Sequence, residues 1–302
     1  MSPPAGVKTD YPLERLTTVR TGGTGDYFAR PGTMDQLLGL LRWADSEGIE
    51  VGVVGSGSNL LISDLGFRGL VLKLDEDLAT IEQQGDRLVC GGGARLPQAA
   101  AQSARAGLSG LEFGVNIPGT VGGAVKMNAN AYGGDLSKVL DWVLIATPEG
   151  AERRAPAELG FQYRKSNLKP REVVARASFA LQPADPSEVK ATLAGMRAQR
   201  REAQPSGIKT FGSTFKNPDD PRAESRSAGV LLDQAGCRGL QVGGARFSEK
   251  HANFVENMGE ATTVDVIALM AEGRRRVREK FGVSLEPEVQ VLGEVDTTGI
   301  YE

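Results

Sequence analysis

Residues 51–64 read Val51-Gly-Val-Val-Gly-Ser-Gly-Ser-Asn-Leu-Leu-Ile-Ser-Asp64, and this stretch decides how the rest of the chain is interpreted. Its apolar, β-branched start predicts a buried strand that ends in a loop of small residues. Glycines at 55 and 57 let a ligand approach the backbone amides closely, and the short polar side chains beside them can bond phosphate oxygens. The loop is therefore a candidate pyrophosphate site, with a plain turn between two strands as the alternative.

This loop does not carry the dinucleotide fingerprint of a Rossmann fold. That fingerprint requires a third glycine three positions after Gly57 and a helix directly after the loop. Position 60 is leucine, so the fingerprint fails. We therefore expect a pyrophosphate to be held here without a Rossmann helix.

The composition is that of an ordinary soluble globular protein and excludes several classes. The 302 residues are 40% hydrophobic and 24% charged, and a net charge of −3 gives no broadly basic surface for nucleic acid. The 39 glycines exceed the usual ~7% and suggest ligand sites lined by backbone. Cys90 and Cys237 form no CxxC pair and have no histidine cluster beside them, so neither a disulfide framework nor a metal site is expected.

The start of the chain predicts its location. Residues 1–12 contain no apolar segment typical of a secretion signal, and no apolar run reaches the ~18 residues of a membrane span. We therefore expect a cytoplasmic protein without membrane insertion and with a flexible tail over residues 1–16. His251 is the one histidine, and because no GxSxG motif accompanies it, a Ser-His-Asp triad is not expected.

A second glycine-rich stretch covers residues 107–134, in which eight of 28 residues are glycine. Each ordered glycine costs about 0.5 to 1 kcal/mol of backbone entropy relative to alanine, so turns alone are a weak explanation. A large planar ligand against bare backbone would explain the stretch, and a long irregular surface loop is the alternative.

The C-terminal third begins at a helix start, where Asp185 is the predicted N-cap and Pro186 the first helical residue. Helical spacing of apolar residues predicts a last helix over residues 264–281. We interpret its Arg274-Arg-Arg276 run as solvated and without a partner. Arg164, Ser213 and Glu288 could clamp a carboxylate, pass a proton and stabilise an enol, but their spacing does not show that they converge.

Six ordered motifs closely resemble the UDP-N-acetylenolpyruvoylglucosamine reductase (MurB) family. The resemblance runs from about residue 17 to residue 293, and the motifs are Val54-Gly-Ser-Gly-Ser-Asn-Leu-Leu61, Ile117-Pro-Gly-Thr-Val-Gly-Gly-Ala124 with Met127-Asn-Ala-Asn-Ala-Tyr-Gly133, Tyr163-Arg-Lys-Ser166, Gly212-Ser-Thr-Phe-Lys-Asn-Pro218, Gly243-Gly-Ala245 with His251-Ala-Asn-Phe-Val255, and Leu285-Glu-Pro-Glu-Val289.

The resemblance implies an α+β fold. It implies an FAD-binding domain of the vanillyl-alcohol-oxidase (PCMH) type in two subdomains, residues 17–70 and 71–184, followed by a substrate-binding domain over residues 185–302. It also implies NADPH-dependent reduction of UDP-N-acetyl-3-O-(1-carboxyvinyl)-glucosamine to UDP-N-acetylmuramate through non-covalent FAD, in peptidoglycan precursor synthesis. The partners implied are the substrate and NADPH, and a monomer is the expected state.

Site residues are carried over only to matching positions. Ser213 becomes the proton donor to an enolate, with Arg164 and Glu288 stabilising it. Substrate contacts are expected at Lys216, Asn217 and His251. FAD contacts are expected at Gly55, Ser56, Gly57, Ser58, Asn59, Leu60, Pro118, Gly119, Thr120, Gly122, Gly123, Asn128, Asn130 and Ala131.

One residue and one segment depart from the family pattern. Asn130 stands where members often carry glycine, and asparagine tolerates left-handed backbone, so FAD binding should survive. The segment between Ser166 and Lys209 has no room for the tyrosine-bearing insertion of some members, so the chain resembles the shorter form.

Two rival functions stay open. The first is an oxidase of the same fold, in which flavin is often tethered through histidine or cysteine; His251 and Cys90 lie outside the flavin motifs, so we predict dissociable flavin. The second is a nucleotide-binding module without catalysis, against which the Arg164, Ser213 and Glu288 set argues.

Overall fold

The structure is a computed structural model that describes residues 2–301. Six α-helices form within these residues: α1 Met34–Ser46, α2 Leu96–Arg105, α3 Val121–Lys126, α4 Pro186–Ala203, α5 Ala228–Gln234 and α6 Thr263–Phe281. The strands are β1 Lys8–Pro12, β2 Thr24–Ala29, β3 Glu50–Val53, β4 Leu60–Ile62, β5 Phe67–Leu72, β6 Ile81–Gln84, β7 Arg87–Gly91, β8 Leu108–Ser109, β9 Asn130–Ala131, β10 Gly134–Asp135, β11 Leu140–Thr147, β12 Gly150–Arg154, β13 Val173–Ala180, β14 Gln182–Pro183, β15 Gln241–Val242, β16 Ala245–Phe247, β17 Val255–Asn257 and β18 Gln290–Leu292.

The chain divides into two compact units that are discontinuous in sequence. The first comprises the described residues up to Asp10 together with Asp26–Ser56 and Arg68–Arg200. The second comprises Tyr11–Gly25, Gly57–Phe67 and the described residues from Arg201 onward. The contiguous boundaries expected from the sequence differ from this division, because segments near residues 11–25 and 57–67 pack with the C-terminal part.

The first unit contains two sheets and two apolar clusters. A five-stranded sheet has the order β12-β11-β13-β7-β6, and all its neighbouring strands pair antiparallel. A four-stranded sheet has the order β1-β2-β5-β3, in which β3 and β5 run parallel. One cluster packs α2 and α3 against β7, β11 and β13, and the other packs α1 against β3 and β5. Two subdomains, each with its own core, thus share this unit.

The second unit packs α5 and α6 against the β15-β16-β17 sheet around one apolar cluster. β4 pairs in parallel with β18, with Leu60 opposite Gln290. The Asp64 carboxylate accepts hydrogen bonds from the amides of Thr263 and Val264, at 2.9 and 3.0 Å, and so caps the first turn of α6. These contacts explain why residues 57–67 belong with the C-terminal segment.

Two sequence-based expectations are corrected by the structure. Residues 8–12 form β1, and residues 13–16 form a 3₁₀ helix whose Leu13 and Leu16 are buried, so the expected flexible tail is ordered there. Arg274 was expected to be solvated, yet it is buried and donates from Nε to Leu285 O at 3.1 Å and from Nη1 to Gly299 O at 3.1 Å. Both errors arise because long-range packing is not visible in local composition.

No helix among residues 2–301 is both long enough and apolar enough to cross a membrane.

Candidate active site

A cavity of about 370 Å³ lies in the first unit, at the loop that follows β3. Five of the expected FAD-contacting residues line it: Gly55, Ser56, Thr120, Gly122 and Gly123. Thr120 caps α3 by accepting a hydrogen bond from the Gly123 amide at 3.4 Å. The structure therefore brings parts of two glycine-rich motifs to one concave surface. Ser56 and Thr120, one from each motif, are 64 residues apart in sequence.

The cavity is suited to a polar, anionic ligand group. The Oγ of Ser56 is buried and has no hydrogen-bond partner among residues 2–301. A buried hydroxyl without a partner is costly, so a ligand oxygen at this position would stabilise the site. A Cβ added at Gly123 would meet only Thr120 Oγ1, at 3.5 Å, so its backbone is open to a ligand. These observations fit a pyrophosphate.

Cationic residues that the sequence analysis missed also line this cavity. Lys73 donates from Nζ to Gly55 O at 2.7 Å, and Arg30 and Arg95 lie on the same lining. Burial, and then the charges of Arg30 and Arg95, lower the pKa of Lys73 below its ordinary value. A bound anion would relieve that repulsion. In the sequence, the signal for this residue is a lysine directly after the apolar strand β5.

Most glycines of the 107–134 stretch have a packing role. A Cβ at Gly134 would lie 2.6 Å from Phe113, and one at Gly122 would lie 3.0 Å from Gly92 O. Of the eight glycines, only Gly119 and Gly123 have both room for a Cβ and a φ outside the left-handed region. The excess of glycine therefore reflects close chain packing more than a ligand face.

Four of the expected FAD-contacting residues lie in the second unit. Gly57 has a φ of +64°, and a Cβ there would lie 1.9 Å from Leu16 O, so only glycine fits. Its carbonyl accepts hydrogen bonds from the amide and hydroxyl of Thr18, at 3.0 and 3.1 Å. Ser58 and Asn59 follow, and Leu60 begins β4 instead of a helix, which confirms that no Rossmann helix follows the loop.

The other expected FAD contacts also lie in the first unit, and one of them, Asn130, contacts Arg164. Arg164 donates from Nη1 to the backbone O and to Oδ1 of Asn130, at 3.0 and 2.8 Å. Asn130 and Ala131 form β9, so Asn130 is extended, and the left-handed backbone expected there occurs at Asn128 instead, with a φ of 41°. Pro118 lies two residues before Thr120.

The second unit brings Ser213 and Glu288 onto neighbouring segments. The Glu288 amide donates at 2.8 Å to the carbonyl oxygen of Thr214, the residue that follows Ser213. Asn59 Nδ2 donates to Glu288 O at 3.1 Å, and the Gln290 amide donates to Asn59 O at 3.1 Å. A Cβ at Gly212 would lie 3.6 Å from Ser58 O. Ser58 and Asn59 thus contact the segments of two predicted catalytic residues.

The three expected substrate contacts have protein partners of their own. Lys216 forms an ion pair with Glu286 at 3.0 Å, and Asn217 Oδ1 accepts from the Ala228 amide at 3.1 Å, at the start of α5. His251 Nδ1 accepts from the Asn253 amide at 3.2 Å, and burial lowers the pKa of this imidazole below its ordinary value. Substrate contact by these residues stays a prediction.

Comparisons with known proteins define the class. A model of the FAD binding domain matches residues 25–155, and a model of the UDP-N-acetylenolpyruvoylglucosamine reductase C-terminal domain matches residues 204–292. Together with the cavity, they make the chain a flavin-dependent oxidoreductase.

Relatives over the whole chain then give the family. The UDP-N-acetylenolpyruvoylglucosamine reductase 2 of Symbiobacterium thermophilum is 43% identical over 292 residues, 96% of this chain and 93% of the relative. The reductase of Rubrobacter xylanophilus is 42% identical over 95% of each chain. The crystal structure of UDP-N-acetylenolpyruvylglucosamine reductase (MurB) from Thermus caldophilus matches with a TM-score of 0.80 and 36% identity, covering 93% of this chain and 97% of that chain. The chain belongs to the UDP-N-acetylenolpyruvoylglucosamine reductase family.

The comparisons confirm several predictions made from the sequence. These are the family, the α+β fold with an FAD-binding domain and a separate C-terminal domain, the enzyme class, and FAD as cofactor. The individual site residues stay predictions.

Proposed function

We propose that this protein uses NADPH to reduce UDP-N-acetyl-3-O-(1-carboxyvinyl)-glucosamine to UDP-N-acetylmuramate, in peptidoglycan precursor synthesis. The observation that carries the proposal is the pairing of the Ser213 and Glu288 segments, because it brings the backbone that carries a proton donor next to the backbone that carries a carboxyl group. Membership of the reductase family supports the substrate class. NADPH and UDP-sugars are cytoplasmic metabolites, so we propose action in the cytoplasm, with a monomer as the working state.

FAD, when bound, supplies the hydride that reaches the vinyl carbon remote from the substrate carboxylate. Its pyrophosphate would be held by the hydroxyl of Ser56, the open backbone of Gly123 and the charge of Lys73.

The side chains act on the charge that develops in the substrate. Hydride addition leaves an enolate that extends into the carboxylate, and a guanidinium such as Arg164 can clamp both oxygens. Asn130 holds Arg164 Nη1, which fixes the direction of the guanidinium. Ser213 then donates its hydroxyl proton to the enolate carbon. Glu288 can stabilise an enolate oxygen only by donating a hydrogen bond, so its role requires a protonated carboxyl group.

The test measures NADPH oxidation by FAD-loaded protein with and without UDP-N-acetyl-3-O-(1-carboxyvinyl)-glucosamine, the enolpyruvyl substrate. We expect turnover that depends on the substrate and a product carrying two added hydrogens by mass spectrometry. NADH in place of NADPH tests the choice of nicotinamide. Absence of substrate-dependent turnover in protein that shows flavin absorbance would refute the reductase proposal.

The flavin is expected to be released by acid. Cys90 is buried in the core of the first unit, and burial raises the pKa of its thiol to about 12, so it is a poor nucleophile for tethering flavin. Trichloroacetic acid should give a colourless pellet and a yellow supernatant. A yellow pellet would favour the oxidase alternative.

Replacing Lys73 by methionine is expected to weaken FAD binding about 10- to 100-fold, because a charge-assisted hydrogen bond contributes about 1.5 to 3 kcal/mol. Apoprotein titrated with FAD, followed by flavin fluorescence, gives the dissociation constant. The salt dependence of binding should also flatten in the variant.

Lys138→Met is the matched control, since Lys138 is exposed in the same unit. Riboflavin, which has no phosphate, should bind the wild type and Lys73→Met equally. An unchanged FAD affinity in Lys73→Met would show that Lys73 does not face the pyrophosphate.

A further inference from the structure

The segment of residues 213–216 lies between two other segments of the second unit. On one side, the Thr214 amide donates to Asn253 O at 2.8 Å, and Ser213 forms an isolated bridge with Phe254. On the other side, the Glu288 amide donates to Thr214 O at 2.8 Å and the Lys216 amide donates to Glu286 O at 2.9 Å. Any shift of this middle segment therefore moves the contacts of both predicted catalytic residues.

The side chain of Asn253 holds the middle segment. Its Oδ1 accepts from the Phe215 amide at 2.9 Å, and its Nδ2 donates to Phe215 O at 2.8 Å. Asn253 is 4% exposed, so water cannot readily replace these bonds. The amide group thus satisfies both backbone groups of Phe215, two residues after Ser213, much as a neighbouring strand would.

His251 fixes the backbone of Asn253 in turn. The Asn253 amide donates to His251 Nδ1 at 3.2 Å, and the His251 ring lies edge-on to Phe254, with 4.8 Å between the ring centroids. Because Nδ1 accepts this bond, the imidazole is neutral in this arrangement. Asn253 is therefore held at its backbone by His251 and acts on Phe215 through its side chain.

We propose that Asn253 is a positioning residue that sets the Ser213 hydroxyl and Glu288 in the geometry for proton transfer. The inference rests on the proposed function, in which Ser213 is the proton donor. Asn253 acts through the backbone of residues 214 and 215, and its side chain is occupied by Phe215 instead of a reacting atom. A misplacement of about 1 Å at a reacting group can cost on the order of 10²-fold in rate, so a buried clamp can have a large catalytic effect.

The matched control is Asn257, a second buried asparagine of the same unit. It is 8% exposed, its Nδ2 donates to Val19 O at 2.8 Å, and its Oδ1 accepts from the amides of Gly259 and Ala261 at 2.8 and 3.1 Å. Like Asn253, it donates to a backbone carbonyl and accepts from backbone amides through its side chain, with four bonds where Asn253 has two, but it holds no segment that carries Ser213 or Glu288. Asn257→Asp thus has a comparable structural cost without the proposed catalytic one.

The experiment compares Asn253→Asp with Asn257→Asp in FAD-loaded protein by stopped flow. Aspartate keeps the size but turns the donor that faces Phe215 O into an acceptor. We expect both variants to reduce flavin with NADPH at near wild-type rates. Only Asn253→Asp should slow substrate-dependent flavin reoxidation, by about 10- to 100-fold, with little change in the substrate concentration at half-saturation. Asn253→Ser, which removes the amide group without placing a carboxylate against Phe215 O, should slow reoxidation less than the aspartate variant and serves if that variant does not fold.

Equal reoxidation rates in the Asn253 and Asn257 variants would overturn the inference. Combining Asn253→Ser with Ser213→Ala adds a second measurement, because Asn253 should matter little once the proton donor is gone. Additive effects in the double variant would also overturn it. If wild-type protein is not reoxidised by the substrate, the proposed function itself fails. If the wild type turns over and Ser213→Ala is slow while Asn253→Asp is normal, only the positioning role fails.

Discussion

Ser213→Ala is expected to reduce flavin with NADPH at a near wild-type rate and to be reoxidised by the enolpyruvyl substrate roughly 10²- to 10⁴-fold more slowly. The first step needs no proton from this side chain, whereas the second leaves an enolate carbon that must be protonated. A serine hydroxyl is too weak an acid to protonate most groups, but an enolate is basic enough to accept its proton. Stopped-flow absorbance of the flavin separates the two steps.

Two further variants make the Ser213 result specific. Ser213→Cys retains an ionisable proton and should recover part of the reoxidation rate. Ser284→Ala removes an exposed serine of the same unit and should leave both steps unchanged. If Ser213→Ala is reoxidised by the substrate as fast as the wild type, another group donates the proton and the assignment of Ser213 is wrong.

Gly92→Ala is expected to destabilise the protein by more than about 3 kcal/mol, at the severe end for a single substitution. A Cβ at Gly92 would lie 1.8 Å from Val174 O. The Gly92 amide donates to Ala175 O at 2.8 Å, and its carbonyl accepts from the Gly122 amide at 2.8 Å. The backbone is therefore held on both sides and cannot move away from the added methyl group. The free energy of unfolding in urea measures the effect.

Gly39→Ala is the control for this prediction. Gly39 lies inside α1, and a Cβ there would meet no atom within 4 Å. Alanine should therefore stabilise the protein by up to about 1 kcal/mol, since it restricts the unfolded chain. A Gly92→Ala protein as stable as the wild type would mean that β7 and β13 can separate at this point without cost.

The sequence predicted elements whose signals are local. The local pattern Thr33-Met-Asp-Gln36 is that of a capping box, and both reciprocal bonds are present at the start of α1. The last helix was expected over residues 264–281 and is found at Thr263–Phe281. Apolar spacing and capping residues act within one or two turns of helix, so they can be recognised without knowing the rest of the fold.

Signals that depend on distant contacts were interpreted less well. Arg274 looked solvated within its charged run, but the carbonyls that bind it come from residues 285 and 299. For Asn59, FAD contact stays a prediction, and the sequence did not reveal that its side chain donates to Glu288 O, 229 residues further on. The charge of Lys73 directly after β5 is visible in the sequence, but its partner, the Gly55 carbonyl, is not.

By itself, the sequence determined the helices and strands with clear periodicity, the absence of a Rossmann helix after Asn59, and the ordered motifs that identify the family. The tertiary structure decided which distant residues meet: Lys73 with Gly55, the Ser213 segment with the Glu288 segment, and Asn253 with Phe215. The physical reason is that capping and amphipathic patterns act over a few residues. Hydrogen bonds between distant segments, such as that of Asn59 with Glu288 over 229 residues, depend instead on how whole sheets and helices pack, which no local spacing encodes.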